Sequence, residues 1–389
     1  MKNRTSLLLI FTAVFIDLIG FGILIPVLPT IASKHSNASD FEIGVLVAVF
    51  SLVQFIFNPY FGRISDRRGR KPIIVLCLLL SASSYLIFAF TNSYGVLLIS
   101  RIVAGLGGSS ISVAQAYIAD ITTKENRSKG MGLIGAAFAL GFVFGPLIGG
   151  FLSNYGIHII GFAGASFSFT AFLVTWFLLP ESLREKTEGR RHKLFNFSAF
   201  TDVLKRPSIG IVIIIFFVVT FSMANIFGTF ALLGYKQFHL SDLQIGTLFG
   251  IMGIFSAIAQ TGIIHILTKH YKDVTIISFG TFILFIALAY VPFCTGYVTL
   301  GVASGLLTLG TGLLIPTSLS LLSKITPDNE QGAVLGINQS IAALARVLGP
   351  LWGGFSFQFF GHAFPFITGA VFVFFTFIYV VLYLSSKVG

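Results

Sequence analysis

Residues 145–151 read GPLIGGF and residues 349–355 read GPLWGGF, so one heptapeptide occurs twice with a single substitution. The two copies end longer segments, 119–151 and 323–355, which align without a gap at an offset of 204 residues. The aligned segments share twelve identities in 33 positions, and chance glycine matches between membrane helices do not explain six identities in the seven residues of the heptapeptide. The chain is therefore predicted to contain two related halves.

The composition indicates that both halves lie in a membrane. Hydrophobic residues make up 55% of the 389 residues, charged residues only 10%, and the mean hydropathy is +0.92. Continuous apolar runs of about 20 residues, the length that crosses a bilayer as a helix, recur along the chain. A membrane β-barrel would show short alternating segments instead. We predict an all-α membrane protein with twelve spans near residues 6–31, 41–62, 72–91, 95–119, 130–154, 158–180, 208–235, 243–268, 274–293, 297–323, 332–358 and 362–385.

The longest polar connection, residues 181–207, falls between the sixth and seventh spans. It divides the chain into a predicted N-terminal six-helix bundle (1–180), a cytoplasmic linker (181–207) and a C-terminal six-helix bundle (208–389). Although Lys2 and Arg4 precede the first apolar run, that run is too long for a signal peptide and shows no obvious cleavage site. It is interpreted as a retained first helix.

The distribution of basic residues predicts the orientation. With the N-terminus inside, the cytoplasmic side holds 21 of the 25 Lys and Arg residues, and only Lys34 and Lys236 lie outside. Both termini are therefore expected to be cytoplasmic, in the inner or plasma membrane. This topology explains the net charge of +11, so the basic clusters are not interpreted as a nucleic-acid site.

The most charged stretch near a span is GRISDRRGRK, residues 62–71. Its two glycines are predicted to allow a tight turn and close helix approach. Asp66 is expected to pair with the arginines or to face the positive end of a neighbouring helix. A simple topology anchor would require positive charge but no acidic residue or glycine at fixed positions.

This stretch resembles the signature G-x-x-x-D-R-x-G-R-K of major facilitator transporters, in the loop between helices two and three. The defining positions are occupied by Gly62, Asp66, Arg67, Gly69, Arg70 and Lys71. The resemblance implies twelve helices arranged as two six-helix pseudo-repeats, with a substrate site near mid-membrane between the halves. It also implies that Asp66 helps to latch the halves together on the cytoplasmic side.

Further stretches resemble the twelve-span drug–proton antiporters of this family, especially tetracycline efflux proteins. LISRIVAGLGG resembles the arginine motif of span four, and GFVFGPLIGG matches the antiporter pattern G-x-x-x-G-P-x-x-G-G. DLIGFGILIPVLP in span one and AQAYIADIT at the end of span four agree with the same group. The antiporter pattern assigns a role in helix motion to five residues of span five: Gly141, Gly145, Pro146, Gly149 and Gly150.

Asp17 is the only one of fourteen acidic residues predicted to lie deep inside a span, about 15 Å from its start. An intramembrane carboxylate is a candidate for proton coupling. Arg101, about 9 Å from the outer end of span four, is its natural partner. The alternative is a static Asp17–Arg101 ion pair that only fixes helix packing.

Arg346 in span eleven has no acidic counterpart at its depth in the second half. It is predicted to accept an anionic substrate group, to bind Asp17 in one conformational state, or to extend toward water. We favour a position facing the cavity, because an arginine that faces lipid is unfavourable by about 2.5 to 3.5 kcal/mol. Further candidates for the substrate cavity are polar residues within spans, for which hydrogen bonds between helices are the common alternative: Gln54, Gln115, Asn225, Gln260, Asn338 and Gln339.

No enzymatic constellation, nucleotide-binding motif or metal-ligand spacing is present in the sequence. We therefore predict a monomeric, cofactor-free secondary transporter that exchanges protons for a small amphipathic organic compound, with the lipid bilayer as its environment. A transporter of a metabolite, siderophore or sugar is the first alternative. The second is a membrane receptor that binds a ligand without transporting it.

Overall fold

The computed structural model describes residues 2–123, 126–183, 197–327 and 330–384. Within these ranges the secondary structure is helical, without a strand. The middle of the predicted linker, 184–196, lies outside the described residues. The α-helices are α1 (Lys2–Ser36), α2 (Asp40–Arg68), α3 (Arg70–Ala89), α4 (Tyr94–Gly107), α5 (Ser110–Ile121), α6 (Arg127–Leu152), α7 (Ile157–Leu178), α8 (Phe197–Leu204), α9 (Pro207–Phe238), α10 (Asp242–Ile258), α11 (Ile264–His270), α12 (Asp273–Tyr290), α13 (Tyr297–Lys324), α14 (Gln331–Phe360) and α15 (Phe364–Tyr379).

The predicted number of spans is confirmed, because twelve helical segments of the described chain are long and apolar enough to cross a membrane. Two of these segments change helix geometry in their interior, and three others end in a short 3-10 or π-helical turn. The fourth span is divided into α4 and α5 at Gly108 and Ser109, and the eighth contains a π-helical turn, Ala259–Ile263, between α10 and α11. Such π-helical turns relieve or redirect a helix locally.

The helices form two compact units. Unit 1 comprises Met1–Ala38, Val49–Leu194 and Ser241–Gly250, and unit 2 comprises Ser39–Ala48, Phe195–Leu240 and Ile251–Gly389, as far as these ranges are described. In unit 1, α1 packs against α6, and α3 packs against α4 and α7. Unit 2 repeats these pairings, with α9 against α14 and α12 against α13 and α15. The repeat in the sequence therefore corresponds to a repeat of helix packing.

Glycines bring the backbones of α1 and α6 into contact. A Cβ atom added to Gly145 would lie 2.6 Å from the Gly22 Cα atom, and one added to Gly141 would lie 2.7 Å from the Leu18 Cβ atom. In unit 2, a Cβ atom on Gly349 would lie 2.8 Å from the Asn225 nitrogen of α9. Since lipid provides little hydrophobic drive for helix association, such close packing supplies much of the stabilisation.

A second face of α6 and of α14 holds the start of another helix. In unit 1, Gly246 of α10 lies against Pro146 and Gly150, and a Cβ atom on Gly150 would lie 2.8 Å from the Leu243 Cα atom. In unit 2, Gly44 of α2 lies in the same way against Pro350 and Gly354. The repeated heptapeptide therefore forms one kind of contact surface in both units.

Each of these two helices, α2 and α10, has an acidic residue in its first turn. That residue interacts with a lysine at the end of α9 or α1, respectively. Lys236 at the end of α9 donates to the Asp40 Oδ1 atom over 2.5 Å, and both residues belong to unit 2. In unit 1, Lys34 at the end of α1 interacts electrostatically with Asp242. These lysines are the two basic residues that are predicted from the sequence to lie on the outer side.

Gly145→Ala is expected to destabilise the protein by about 1 to 3 kcal/mol, because the added methyl group would force α1 and α6 apart. Gly135→Ala is the matched control on the same helix, since nothing lies within 4 Å of a Cβ atom at that position. The measurement is thermal unfolding of the purified proteins in detergent. Equal melting temperatures for the two variants would contradict the packing role of Gly145.

Candidate proton-coupling and gating sites

Asp17 lies midway along α1 and is only 7% exposed. Its carboxylate accepts hydrogen bonds from the Ser168 hydroxyl of α7 at 2.6 Å and, more weakly, from the Ser110 hydroxyl of α5 at 3.5 Å. The Ser81 side chain of α3 interacts with the same carboxylate. Three helices thus surround Asp17 with hydroxyl groups, which can donate to a carboxylate or accept from a protonated carboxyl group after rotation. The arrangement can accommodate both protonation states of Asp17.

Arg101 in α4 is also buried, with 4% exposure, but it forms no ion pair with Asp17 within 4.0 Å. Its Nε atom donates to the Ser100 hydroxyl over 3.4 Å, and its guanidinium carbon lies 5.9 Å from the centre of the Phe88 ring. The Nη2 atom has no hydrogen-bond partner among the described residues. The static Asp17–Arg101 ion pair is therefore absent from this structure.

Tyr85 of α3 links the surroundings of the two charges. The residue is buried, its ring packs against Gly20 and Gly164, and it interacts electrostatically with both Asp17 and Arg101. Sequence reasoning did not identify Tyr85 or the three serines, because such residues are ordinary constituents of membrane helices. Only their position around Asp17 distinguishes them.

The charged motif between spans two and three forms a tight turn. Helix α2 ends at Arg68, α3 begins at Arg70, and Gly69 between them has φ +110°. This backbone conformation favours glycine, because a Cβ atom would be strained there. The tight turn predicted at Gly69 is thus present.

Arg70 is the centre of the interactions around this turn. Its guanidinium group pairs with Asp66 at 2.5 Å and with Asp120, at the end of α5, at 2.9 Å. It also donates to the Ser65 hydroxyl over 2.7 Å. A planar guanidinium group suits this geometry, since it directs several donors at fixed angles. Arg70 therefore joins the ends of α2, α3 and α5.

Glu181, just beyond α7, completes this cluster. Its carboxylate accepts hydrogen bonds from the backbone nitrogens of Arg70 at 2.9 Å and Lys71 at 3.2 Å, which begin α3. A negative group at this position satisfies free backbone donors and interacts favourably with the helix dipole. The next residue, Ser182, donates to Asp120 over 3.1 Å. Sequence reasoning missed Glu181, because it lies more than one hundred residues away from Arg70.

Two other motif residues behave differently from Gly69 and Arg70. The expectation that Gly62 allows close helix approach is wrong, because nothing lies within 4 Å of a Cβ atom built on it. Arg67 has an exposed side chain and forms no ion pair with a described residue. The interactions of the described motif are therefore concentrated at Asp66, Gly69, Arg70 and the Lys71 backbone.

The second half carries a counterpart of this cluster with the opposite charges. Lys324 at the end of α13 pairs with Asp273, the first residue of α12, at 2.7 Å. Lys324 occupies the repeat position of Asp120, while Asp273 begins α12 as Arg70 begins α3. The second half thus has an ion pair between equivalent helix ends, with its polarity reversed.

The candidate polar residues fall into two groups. Asn225 and Asn338 are fully buried, and Asn225 donates to the Pro365 carbonyl oxygen over 2.8 Å, which is a contact between helices. Both polar side-chain atoms of Asn338 lack a hydrogen-bond partner among the described residues. Gln54 is half-buried, whereas the others have exposed side chains: Gln115, Gln260 and Gln339. Gln260 donates to the Ser256 hydroxyl over 2.8 Å.

Arg346 in α14 is exposed and has neither a hydrogen bond nor an ion pair with a described residue. Its position in the repeat corresponds to Phe142 in α6, whose ring lies 6.0 Å from that of Phe21. The two units therefore differ at this position, with an aromatic contact in one and a free guanidinium group in the other.

Arg70→Gln is expected to lower the stability by roughly 2 to 3 kcal/mol, because it removes charge-assisted hydrogen bonds and leaves Asp120 without its basic partner. Arg68→Gln is the control, since Arg68 lies nearby with an exposed side chain and no ion pair in the described part of the chain. Thermal unfolding in detergent compares the two proteins. A melting temperature of Arg70→Gln that equals that of Arg68→Gln would argue against the cluster.

A family model and individual relatives match this chain over most of its length. The family model described as Major Facilitator Superfamily matches residues 10–307 and 212–388. Multidrug resistance protein 2 of Bacillus subtilis is 31% identical over 94% of this chain and 92% of its own length. Tetracycline resistance protein, class C, of Escherichia coli is 31% identical over 90% of this chain and 89% of its own length.

Solved structures agree with the fold. The crystal structure of the human organic anion transporter MFSD10 (TETRAN) superposes with a TM-score of 0.72 at 23% identity, covering 98% of this chain and all of that one. A bacterial homolog of the human lysosomal transporter Spinster gives a TM-score of 0.73 at 14% identity, covering 98% of this chain and 95% of that one. The predicted fold class is thereby confirmed, and the chain belongs to the major facilitator superfamily of membrane transporters.

Proposed function

We propose that the protein is a proton-coupled antiporter, which exports an amphipathic organic compound by alternating access. Its family makes it a multi-pass membrane transporter, and the names of its relatives suggest drugs, including tetracycline-like compounds, as substrates. The distribution of basic residues supports the inner or plasma membrane, with both termini in the cytoplasm.

The observation that carries this proposal is the environment of Asp17. It is a single carboxylate at mid-helix, surrounded by hydroxyl groups of α3, α5 and α7 rather than neutralised by a basic side chain. A permanent ion pair would hold the carboxylate charged, whereas hydroxyl groups stabilise it with or without a proton. Intramembrane carboxylates of this kind are typical of proton relays.

Arg101 completes the coupling mechanism. After a change in helix position, its Nη2 atom can donate a hydrogen bond to the charged Asp17 carboxylate. When Asp17 takes up a proton, the proton neutralises the carboxylate in place of Arg101. Tyr85, which interacts with both residues, positions them relative to each other. The protonation state of Asp17 and the conformation of the helices are thereby coupled.

The cluster around Arg70 is proposed to control the cytoplasmic side. It holds the ends of α2, α3 and α5 together through Asp66 and Asp120, so a change at one helix end is transmitted to the others. Transport in this scheme requires no ATP. A membrane potential supplies about 2.3 kcal/mol per elementary charge per 100 mV, so exchange with one proton supports considerable accumulation.

Asp17→Asn is expected to abolish proton release upon substrate addition, because the amide does not take up a proton at physiological pH. The experiment uses energised inside-out vesicles with a pH-sensitive dye, to which tetracycline, ethidium and carboxyfluorescein are added in turn. Proton release at the wild-type rate in Asp17→Asn would overturn the proposal. Binding without proton flux in the wild type would favour a receptor, and coupled transport of a metabolite instead of these drugs would favour the alternative substrates.

Ser168→Ala is expected to move the pH midpoint of the coupled proton release to higher pH, because a hydrogen bond that stabilises the charged Asp17 is lost. Ser166→Ala is the matched control on the same helix, since Ser166 is exposed and donates only to the Phe162 carbonyl oxygen. The pH profiles of both variants are measured in the same vesicles. Coincident profiles would show that Ser168 does not act on the coupling residue.

A further inference from the structure

We propose that Arg346 binds an anionic group of the transported compound, so that the substrates include amphipathic organic anions with a carboxylate or sulfonate. This inference rests on the proposed function as a transporter and adds the chemical class of the substrate. It is carried by the position of Arg346 on α14, by the absence of a partner and by the asymmetry of the repeat.

Arg346 lies too deep in α14 to reach water along the helix. It is fifteen residues from Gln331 and fourteen from Phe360, which places it about 22 Å from the first end of the helix and about 21 Å from the other. An arginine side chain is far shorter than this distance, so extension to the membrane surface does not explain its position.

The helix periodicity places Arg346 on the face opposite to a stripe of exposed apolar residues. Leu344 and Leu348 are exposed large apolar residues, and each lies two positions, or about 200°, from Arg346 around the helix. A third exposed residue of this stripe, Phe355, falls about 180° away. The apolar stripe that suits lipid contact is therefore on the other side of α14.

A second face of α14 is occupied by helix packing. Asn338, Ala342, Ala345 and Gly349 are buried, and Gly349 contacts α9. Arg346 instead shares its face with exposed Gln339 and, nearer the outer end, with Pro350, which contacts α2. This face is accessible, with a polar side chain at Gln339 and a small one at Ala343. It carries the positive charge of Arg346, which has no partner among the described residues.

No described acidic residue neutralises this charge. Arg346 forms neither an ion pair nor a hydrogen bond with a described residue, whereas Arg70 and Lys236 each have an acidic partner. A guanidinium group binds carboxylate strongly, often through two parallel hydrogen bonds. An anionic substrate would supply the missing partner.

The comparison of the two halves supports a specific role for this charge. The equivalent position in unit 1 is Phe142, which is part of an aromatic cluster with Phe21 and Phe138. Helix packing at this position of the repeat is thus compatible with an apolar residue. The arginine is not required by the fold, so a role in binding explains its presence.

The test measures binding to the purified full-length protein in detergent, without a proton gradient. The probes are 1-naphthoate and carboxyfluorescein as anions, and tetraphenylphosphonium as a cation. Arg346→Gln is expected to raise the dissociation constants of both anions at least tenfold and to leave that of the cation within twofold. Arg346→Lys should lose less affinity, because it keeps the charge but not the planar geometry.

Lys269→Gln is the control variant, since it removes one exposed positive charge from the same unit. A second measurement changes the ligand instead of the protein, and does not depend on the folding of a variant. Methyl 1-naphthoate is expected to bind the wild type at least tenfold more weakly than 1-naphthoate. Three results would each overturn the proposal. They are equal affinities of the wild type for the acid and its ester, an equal loss of affinity for anions and cation in Arg346→Gln, and no binding of the anions by the wild type.

These outcomes are independent of those for Asp17. Asp17→Asn should retain the binding of the anions, because the assay contains no gradient. If anion binding depends on Arg346 but no proton is released in vesicles, the proton-coupling proposal fails and the assignment of Arg346 stands. If Arg346→Gln instead loses the response of proton release to every substrate with unchanged anion affinity, Arg346 serves coupling and not substrate recognition.

Discussion

Backbone contact at glycine is the constraint on which both helical units depend. In a bilayer, apolar side chains gain little by leaving lipid, so helices associate through close packing and polar contacts. Helix α6 brings Gly141 and Gly145 against α1 on one face, and Pro146 and Gly150 against α10 on another. Helix α14 repeats this arrangement with α9 and α2. A larger side chain at these positions would separate backbones that the rest of each unit holds in register.

The charged groups are arranged around this scaffold according to their depth. At the helix ends, ion pairs such as Arg70–Asp120, Lys324–Asp273 and Lys236–Asp40 join neighbouring helices. Within the helices, Asp17 is surrounded by hydroxyl groups, and neither Arg101 nor Arg346 has an acidic partner among the described residues. Charges that are paired stabilise a structure, whereas deep charges without a partner are unfavourable unless a ligand or a change of state compensates them. This difference separates structural charges from the candidates for transport.

The sequence predicted the elements of the fold well, because each depends on local pattern. Apolar runs of sufficient length predicted the twelve spans. The glycines of the charged motif predicted a tight turn, and Gly69, the single residue between α2 and α3, has a positive φ. The depths of Asp17 and Arg101 were also predicted by counting residues along a helix. The same reasoning was wrong about close packing at Gly62, since the spacing of a motif does not reveal which glycine another helix approaches.

What the sequence by itself determined is the number of spans, the repeat and the identity of the rare charges inside the membrane. Hydropathy and helix periodicity are properties of neighbouring residues, so they are readable from one chain. Only the tertiary structure decided the partners: Glu181 at the start of α3, the serines around Asp17, and the pairing of Asp273 with Lys324. These contacts join residues that are distant in the chain, and their geometry depends on how closely glycine allows the helices to pack.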